Sequence, residues 1–354
     1  MIRIKSETPP SIAILIPCYN EELTIARVVK SFKKELPEAT IYVFDNNSTD
    51  ATTKEAKEAG AVVYFEGRKG KGNVIGTMFR VIDADVYVMV DGDDTYPADK
   101  VHALIDPILT GRADMVVGSR LHPEASSAFH PLNRFGNKLF LGLVGMIFRG
   151  PVTDLLSGYR AFNRRIVKSL PLESTGFEIE TELTCKCLQR GYVISEYPVD
   201  LSRRPPGSSS KINIMKDGIL ILNTILSLLR DYRPLSVFGS ISIMLFLSAM
   251  AAGTVVLADY LKSGHVEHYL SAVITVAALT ASLGTALTGI VLHAIARRFQ
   301  SVDRQLQNMV EVQDKWSNYT HLTEPLHNDN VPAAENRLEV FVSSGMRKRH
   351  WPVR

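Results

Sequence analysis

The chain has 354 residues, 45% hydrophobic and 22% charged, with a formal net charge of +3 at neutral pH. That length holds two or three structural units at about 100–200 residues each, and the near-neutral balance gives no case for a nucleic-acid partner. The average conceals a split: up to about Arg233 the sequence is ordinary globular chain, whereas Leu235 to His293 is strongly apolar.

Ile12 to Ile16 predicts a buried first strand, its apolar run being too short for a signal peptide. Pro17-Cys-Tyr-Asn-Glu21 follows, then a helix with apolar positions Leu23, Ile25, Ala26, Val29 and Phe32. Ile41 to Phe44 is a second strand ending at Asp45-Asn-Asn-Ser-Thr-Asp50, Thr52 to Ala59 a helix closed by Gly60, and Ala61 to Phe65 a third strand. The three cysteines, Cys18, Cys185 and Cys187, suit a reduced, cytosol-facing domain, because two residues separated by one make an improbable disulfide.

Gly67-Arg-Lys-Gly-Lys-Gly-Asn73 lacks the Ser or Thr and the spacing of a phosphate loop, and the first strand lacks the glycines of a dinucleotide fold. It reads as a mobile basic turn that helps neutralise a diphosphate, against the plain alternative of a solvated loop.

Val86 to Val90 is a short apolar run with charge on both sides, the pattern of a strand buried on both faces of a parallel sheet. Asp91, Asp93 and Asp94 stand directly at its carboxyl end, where open α/β sheets bind ligands. Asp91 and Asp93, spaced by Gly92, can share one hard cation, Mg²⁺ or Mn²⁺, with substrate phosphates completing the shell. A helix from Asp99 to Leu109 and a strand from Asp114 to Gly118 continue the alternation, which predicts a parallel, doubly wound sheet. Asp45, Arg68, Lys71, Asp91 and Asp93 are then expected on one edge.

Pro17 to Glu21, Val43 to Asp50, Gly70-Lys-Gly-Asn73 and Asp91-Gly-Asp93 resemble the successive motifs of the inverting family-2 glycosyltransferases. Gly118-Ser-Arg-Leu121, Arg134-Phe-Gly-Asn-Lys138, Thr153 to Phe162, Gly176 to Glu182 and Arg203 to Lys211 extend the likeness to the polyisoprenyl-phosphate glycosyltransferases, over roughly residues 10–232. The resemblance implies a GT-A fold, a doubly wound, Rossmann-like mixed sheet. It implies a nucleoside pocket of Pro17, Tyr19, Glu21 and Asp45, with Lys71 and Gly92 also at the nucleotide and a divalent metal on Asp91 and Asp93. Asn46 stands where the family often has a second aspartate, which leaves the base open. Arg120, Arg134, Ser157, Arg204 and Lys211 become candidates for gripping phosphates, with Asp93, Asp154, Arg204 and Lys211 the catalytic set. Asp154 serves to orient Arg160 or a substrate group, or else as a helix cap. Glu178 or Glu180 is expected to touch sugar hydroxyls; a solvated helix face is the plain alternative for Glu178, Glu180 and Glu182.

Ile212 to Leu229 has the pattern of an amphipathic helix lying in a membrane interface. Leu235 to about Ala258 and Tyr269 to about His293 are each long enough to cross the hydrocarbon core. Arg230, Arg233, Arg297 and Arg298 flank one side, so both termini are expected in the cytoplasm. Gly284 and Gly289 suit close helix packing, within the hairpin or in a homo-oligomer. The expected organisation is a catalytic domain over residues 1–211, a juxtamembrane helix over 212–233, a transmembrane hairpin over 234–298, and a tail over 299–354 with helix from Phe299 to Trp316. The expected activity is metal-dependent transfer of a hexose from a nucleotide sugar to a polyisoprenyl phosphate. Transfer to a glycan or other acceptor, and a non-catalytic membrane scaffold, stay open as alternatives.

Overall fold

The computed structural model describes residues 9–121, 137, 140–145, 152–202, 204–207, 211, 214–266 and 268–322. Seven strands form one sheet: β1 (Ile12–Cys18), β2 (Thr40–Asp45), β3 (Val62–Phe65), β4 (Val86–Met89), β5 (Met115–Ser119), β6 (Arg160–Asn163) and β7 (Ile194–Pro198), in the order β3-β2-β1-β4-β6-β5-β7. The alternation of strand and helix produces it, with α1 (Ile25–Glu35), α2 (Thr52–Glu58), α3 (Lys71–Val81) and α4 (Val101–Leu109) as crossovers. The aspartate-tipped turn leads into a short 3₁₀ turn, Ala98–Lys100, before α4 begins. The sheet is not wholly parallel. β6 runs antiparallel to both β4 and β5, while β5 pairs with β7 in parallel. Alternation alone could not reveal this, because β6 is only four residues long and is bounded by polar groups.

Both faces of the sheet are covered, so β1 and β4 at its centre carry no charged residue along their length. Along β1, Ile14 and Ile16 pack with Val88, Phe32 and Leu104 on one side. Ala13 and Leu15 pack with Met89, Ile75, Met78 and Phe162 on the other. α5 (Arg164–Ser169) starts at Asn163, whose Oδ1 accepts from Ile166 N at 3.0 Å. α6 (Ile179–Gln189) packs Ile179 and Leu183 onto the second face. All three cysteines are buried and free.

The strand direction matters for function. β1, β2 and β4 end at one edge, where Cys18 lies beside Asp45 and Asp45 beside Phe65. Because β6 is antiparallel and opens with Arg160 beside Met89, the turn preceding it enters at that same edge.

α7 (Ile214–Tyr232) turns Ile221, Ile225 and Leu228 inward onto Leu155, Cys185, Phe140 and Val144. Ile219, Leu220 and Leu226 stay exposed, so one apolar face docks onto the domain and another is left open. α8 (Pro234–Ser263) and, within α9 (Tyr269–Leu322), the part Tyr269–Val302 are long and apolar enough to cross a membrane. At 1.5 Å per residue, the 30 residues of α8 extend about 45 Å. The hairpin is joined by matching serines: Ser242 Oγ donates to Ser282 O at 2.8 Å and Ser282 Oγ to Ser242 O at 2.9 Å. Gly289 lies against Phe238, whereas Gly284 faces open space. Residues 1–310 form one compact unit; 311–354 form a second, whose described part is the end of α9.

Candidate active site

Three carboxylate–cation pairs meet at the shared edge. The first is on Asp91, just beyond β4. Lys71, the first residue of α3, donates from Nζ to Asp91 Oδ1 and lies equally close to Glu180 Oε1, 2.5 Å in each case. Burial alone would pull this ammonium down, but Asp91 and Glu180 hold it well above the usual lysine range. The second pair is Arg204 Nη2 donating to Asp93 Oδ2 at 2.5 Å. Asp93 Oδ1 accepts from Thr95 N and Oγ1, and Thr95 O accepts from Ser202 N at 2.8 Å. Thr95 therefore ties the aspartate turn to the segment that carries Arg204.

The third pair is Arg120 with Asp154, a fork of Nε to Oδ2 at 2.7 Å and Nη2 to Oδ1 at 2.8 Å. Burial pushes the Asp154 carboxyl upward, but Arg120 outweighs it and keeps the group below the usual carboxylate range. Asp154 does not orient Arg160, as one expectation had it. Its Oδ1 also accepts from Leu156 N at 3.1 Å, a turn contact. Arg160 is fully buried and donates instead to Ser157 O, Leu155 O and Thr184 Oγ1, so it holds the 155–158 turn from beneath.

Asp94 does not join the pair of aspartates. Its backbone is left-handed, with φ at 59°, and its side chain turns away to Arg27 on α1.

The nucleoside candidates lie at the ends of β1 and β2. Tyr19 is 41% exposed, Pro17 partly buried, and Asp45 buried with Oδ1 accepting from Ser48 N. Glu21 is 9% exposed. Burial and the neighbouring Asp93 raise its carboxyl to about 7 against the pull of Lys211 and Arg204. Lys211 is exposed and donates to Asn20 O at 3.2 Å. Gly92 is buried; a Cβ there would stand 2.7 Å from Cys18 Sγ.

The basic turn is not a free loop. Asn46 donates from Nδ2 to Glu66 O and Arg68 O and accepts from Gly70 N at 2.7 Å. Gly72 N donates to Thr175 O at 3.0 Å. Glu66 anchors Arg68 and Thr77, and Arg68 in turn holds its carboxyl down at about 2. Asn46 thus serves the turn. Glu66 was missed in the sequence, although a carboxylate ending β3 has the same placement as Asp45 ending β2.

Glu178, Glu180 and Glu182 are all buried, so none belongs to a solvated helix face. Glu182 accepts from Glu173 N and Ser174 N and pairs with Lys186. The Glu180 carboxylate, expected at a sugar hydroxyl, is taken up by Lys71. Glu178 Oε1 accepts from Thr175 N and Gly176 N, while Oε2 is buried without a partner. Ser157, expected at the acceptor phosphate, is fully buried and donates to Gly118 O at 2.6 Å, which corrects that expectation for its hydroxyl. Arg134 and Lys138 lie outside the described residues.

The donor set suits a hard cation. Asp91 and Asp93 offer two carboxylates, and no group of three or more His, Cys, Asp or Glu placed to hold a metal ion occurs among the described residues. That is the ligand count Mg²⁺ or Mn²⁺ takes when phosphates complete the shell.

A family model described as glycosyl transferase family 2 matches residues 13–170. Glycosyltransferase AglJ of Haloferax volcanii is 36% identical over 235 residues, covering 66% of this chain and 77% of that protein. A dolichyl-phosphate hexose transferase of the same organism is 28% identical over 223 residues, covering 63% of this chain and 95% of that one. Among solved structures, glucosyl-3-phosphoglycerate synthase from Mycobacterium tuberculosis, in complex with Mn²⁺, uridine diphosphate and glucosyl-3-phosphoglycerate, shares the fold. Its TM-score is 0.52 at 24% identity, covering 62% of this chain and 80% of that one.

Proposed function

The chain belongs to glycosyl transferase family 2, and from that premise we propose that it transfers a hexose from a UDP- or GDP-linked donor to a polyisoprenyl phosphate at a membrane surface. The observation that carries this reading is the convergence of three acid–base pairs, Asp91–Lys71, Asp93–Arg204 and Asp154–Arg120, on one sheet edge. Two anionic substrates have to be brought within bonding distance there, and arginine and lysine offset their repulsion. The lipid acceptor is supported by α7, which packs against Leu155, the neighbour of Asp154, and leads directly into two exposed apolar helices. The dolichyl-phosphate hexose transferase among the similar proteins points the same way.

The chemistry asks for positioning more than for a strong base. A phosphate monoester is largely ionised near neutral pH, so one of its oxygens can attack the anomeric carbon unaided. The C–O bond to the nucleoside diphosphate breaks, the diphosphate leaves with the electron pair, and the configuration inverts to a β-linked sugar phosphate. Asp91 and Asp93 would hold the divalent cation, Mg²⁺ or Mn²⁺, which supplies Lewis-acid neutralisation of the diphosphate. Pro17, Tyr19, Glu21 and Asp45 hold the nucleoside, and Lys71 meets the diphosphate. Arg120, Arg204 and Lys211 draw the acceptor phosphate into line. By the same reading residues 1–211 are the catalytic domain, 234–298 the membrane hairpin, and both termini cytoplasmic.

The test is a transfer assay on full-length protein in detergent, with undecaprenyl phosphate, Mn²⁺ and a panel of radiolabelled UDP- and GDP-sugars. Label should enter the organic phase with one donor and be lost in Asp93→Ala. Nucleotide binding with no lipid-linked product from any donor would overturn the acceptor assignment.

A further inference from the structure

We propose that Lys71 is a resident counter-ion that occupies the cation position on Asp91 until the donor arrives, and that Glu180 is the positioning residue that keeps the ammonium in the site afterwards. The inference rests on reading Asp91 as a ligand of the donor's cation.

One ammonium sits 2.5 Å from two carboxylates, and the two are not equivalent. The Asp91 side chain is 29% exposed, that of Glu180 only 4%. A cation arriving from solvent can reach Asp91 but not Glu180, so the exchange has one direction: the cation takes Asp91 and Lys71 withdraws to Glu180. The backbone enforces this. Lys71 opens α3 and Glu180 lies in the first turn of α6, and Gly72 N donates to Thr175 O to join the two helix starts. A Cβ at Gly72 would stand 2.0 Å from Ser174 O, so only glycine allows this approach. The Phe177 ring, 5.9 Å from Nζ, flanks the ammonium. Releasing Asp91 therefore leaves Lys71 beside Glu180, a buried carboxylate that has to keep a partner, and within reach of an arriving diphosphate.

The consequence is that the nucleotide-free protein binds divalent cations weakly, since each must first displace an ammonium. The experiment measures Mn²⁺ affinity without nucleotide, by the electron paramagnetic resonance of free Mn²⁺, on full-length protein in detergent. The decisive variant is the double substitution Lys71→Met with Glu180→Gln. It removes one positive and one negative charge, so the net charge around Asp91 is that of the wild type and what is lost is the ammonium standing on the cation position. The counter-ion role predicts at least threefold tighter Mn²⁺ binding. Glu180→Gln alone leaves Lys71 wholly to Asp91 and should weaken Mn²⁺ at least threefold. A double variant with unchanged or weaker affinity overturns the proposal. If wild-type protein binds no Mn²⁺ even with UDP present, the reading of Asp91 and Asp93 as cation ligands fails, and the counter-ion role with it.

Discussion

Gly158 faces the Asp91 carboxylate so closely that a Cβ on it would stand 2.3 Å from Oδ2. Gly158 N also donates to Tyr96 Oη at 2.9 Å, so the glycine is fixed from its other side. Gly158→Ala should therefore push Asp91 out of place. We expect Mn²⁺–UDP binding to fall at least tenfold, about 1.4 kcal/mol, with the fold retained. Gly76→Ala, whose Cβ would meet nothing within 4 Å, is the control in a helix interior. It should leave binding unchanged and add up to about 1 kcal/mol of stability. Calorimetric titration of both variants checks this, and equal affinities would refute the steric argument.

Asn46→Asp restores the residue that the resembling family often carries, and should be harmful here. The side chain donates to two carbonyls, Glu66 O and Arg68 O, and a carboxylate can donate to neither. Arg68 O then loses its donor while Glu66 O keeps only Asn47 Nδ2, which should cost about 1–3 kcal/mol and loosen the turn that presents Lys71. Thermal unfolding in detergent reads the loss. An Asp variant that is as stable as wild type and binds UDP more tightly would mean that position 46 faces the nucleoside.

Glu21 makes stability depend on pH in the direction opposite to most carboxylates. Its carboxyl titrates at about 7 in the fold against an ordinary 4.5, so the folded state binds the proton more tightly. The contribution is fully present below pH 4.5 and is lost as pH rises through 7. At 1.36 kcal/mol per pH unit, its ceiling is about 3 kcal/mol. Wild type should therefore gain on Glu21→Gln in melting temperature between pH 8 and pH 5. Parallel profiles for the two proteins would count against the burial of this charge.

In the hairpin the two glycines predict opposite outcomes. A Cβ on Gly289 would stand 2.8 Å from Phe238 Cβ, whereas one on Gly284 would meet nothing within 4 Å. Gly289→Leu should separate α8 from α9 and lower the melting temperature by several degrees; Gly284→Leu should leave it within about a degree, as surface substitutions usually do. The reverse ranking would mean that the helices pack through another face.

The sheet was legible in the sequence because its strands alternate with helices, and a strand buried on both faces is apolar throughout. Asp91 and Asp93 were legible because a carboxylate at a strand's carboxyl end has an expected location. The direction of β6 was not, since four residues carry no mark of which way they run. Asn46, Arg160 and Glu182 escaped for another reason. Each acts on backbone groups, across to the next turn of the sheet edge for Asn46 and within the neighbouring turn for Arg160 and Glu182, and a backbone partner leaves no mark in side-chain spacing. Arg160 shows this best: its acceptors are two carbonyls and a hydroxyl, so no charged residue in the sequence points to it.

The antiparallel β6 also shapes what can be exchanged in this molecule. The chain leaves the sheet at Ser119, the end of β5, and re-enters it at Arg160, the start of β6, both at one edge. Such an excursion is a cassette. Its two mouths sit side by side on neighbouring strands, so its contents can lengthen, shorten or be replaced while the strand register stays as it is. Asp91, Asp93 and Lys71 lie outside the cassette, whereas Arg120 and Asp154 travel inside it as a matched pair. A graft between two such chains, cut at Ser119 and Arg160, carries both halves of that pair together, along with Gly158, whose close approach to Asp91 the incoming segment has to preserve.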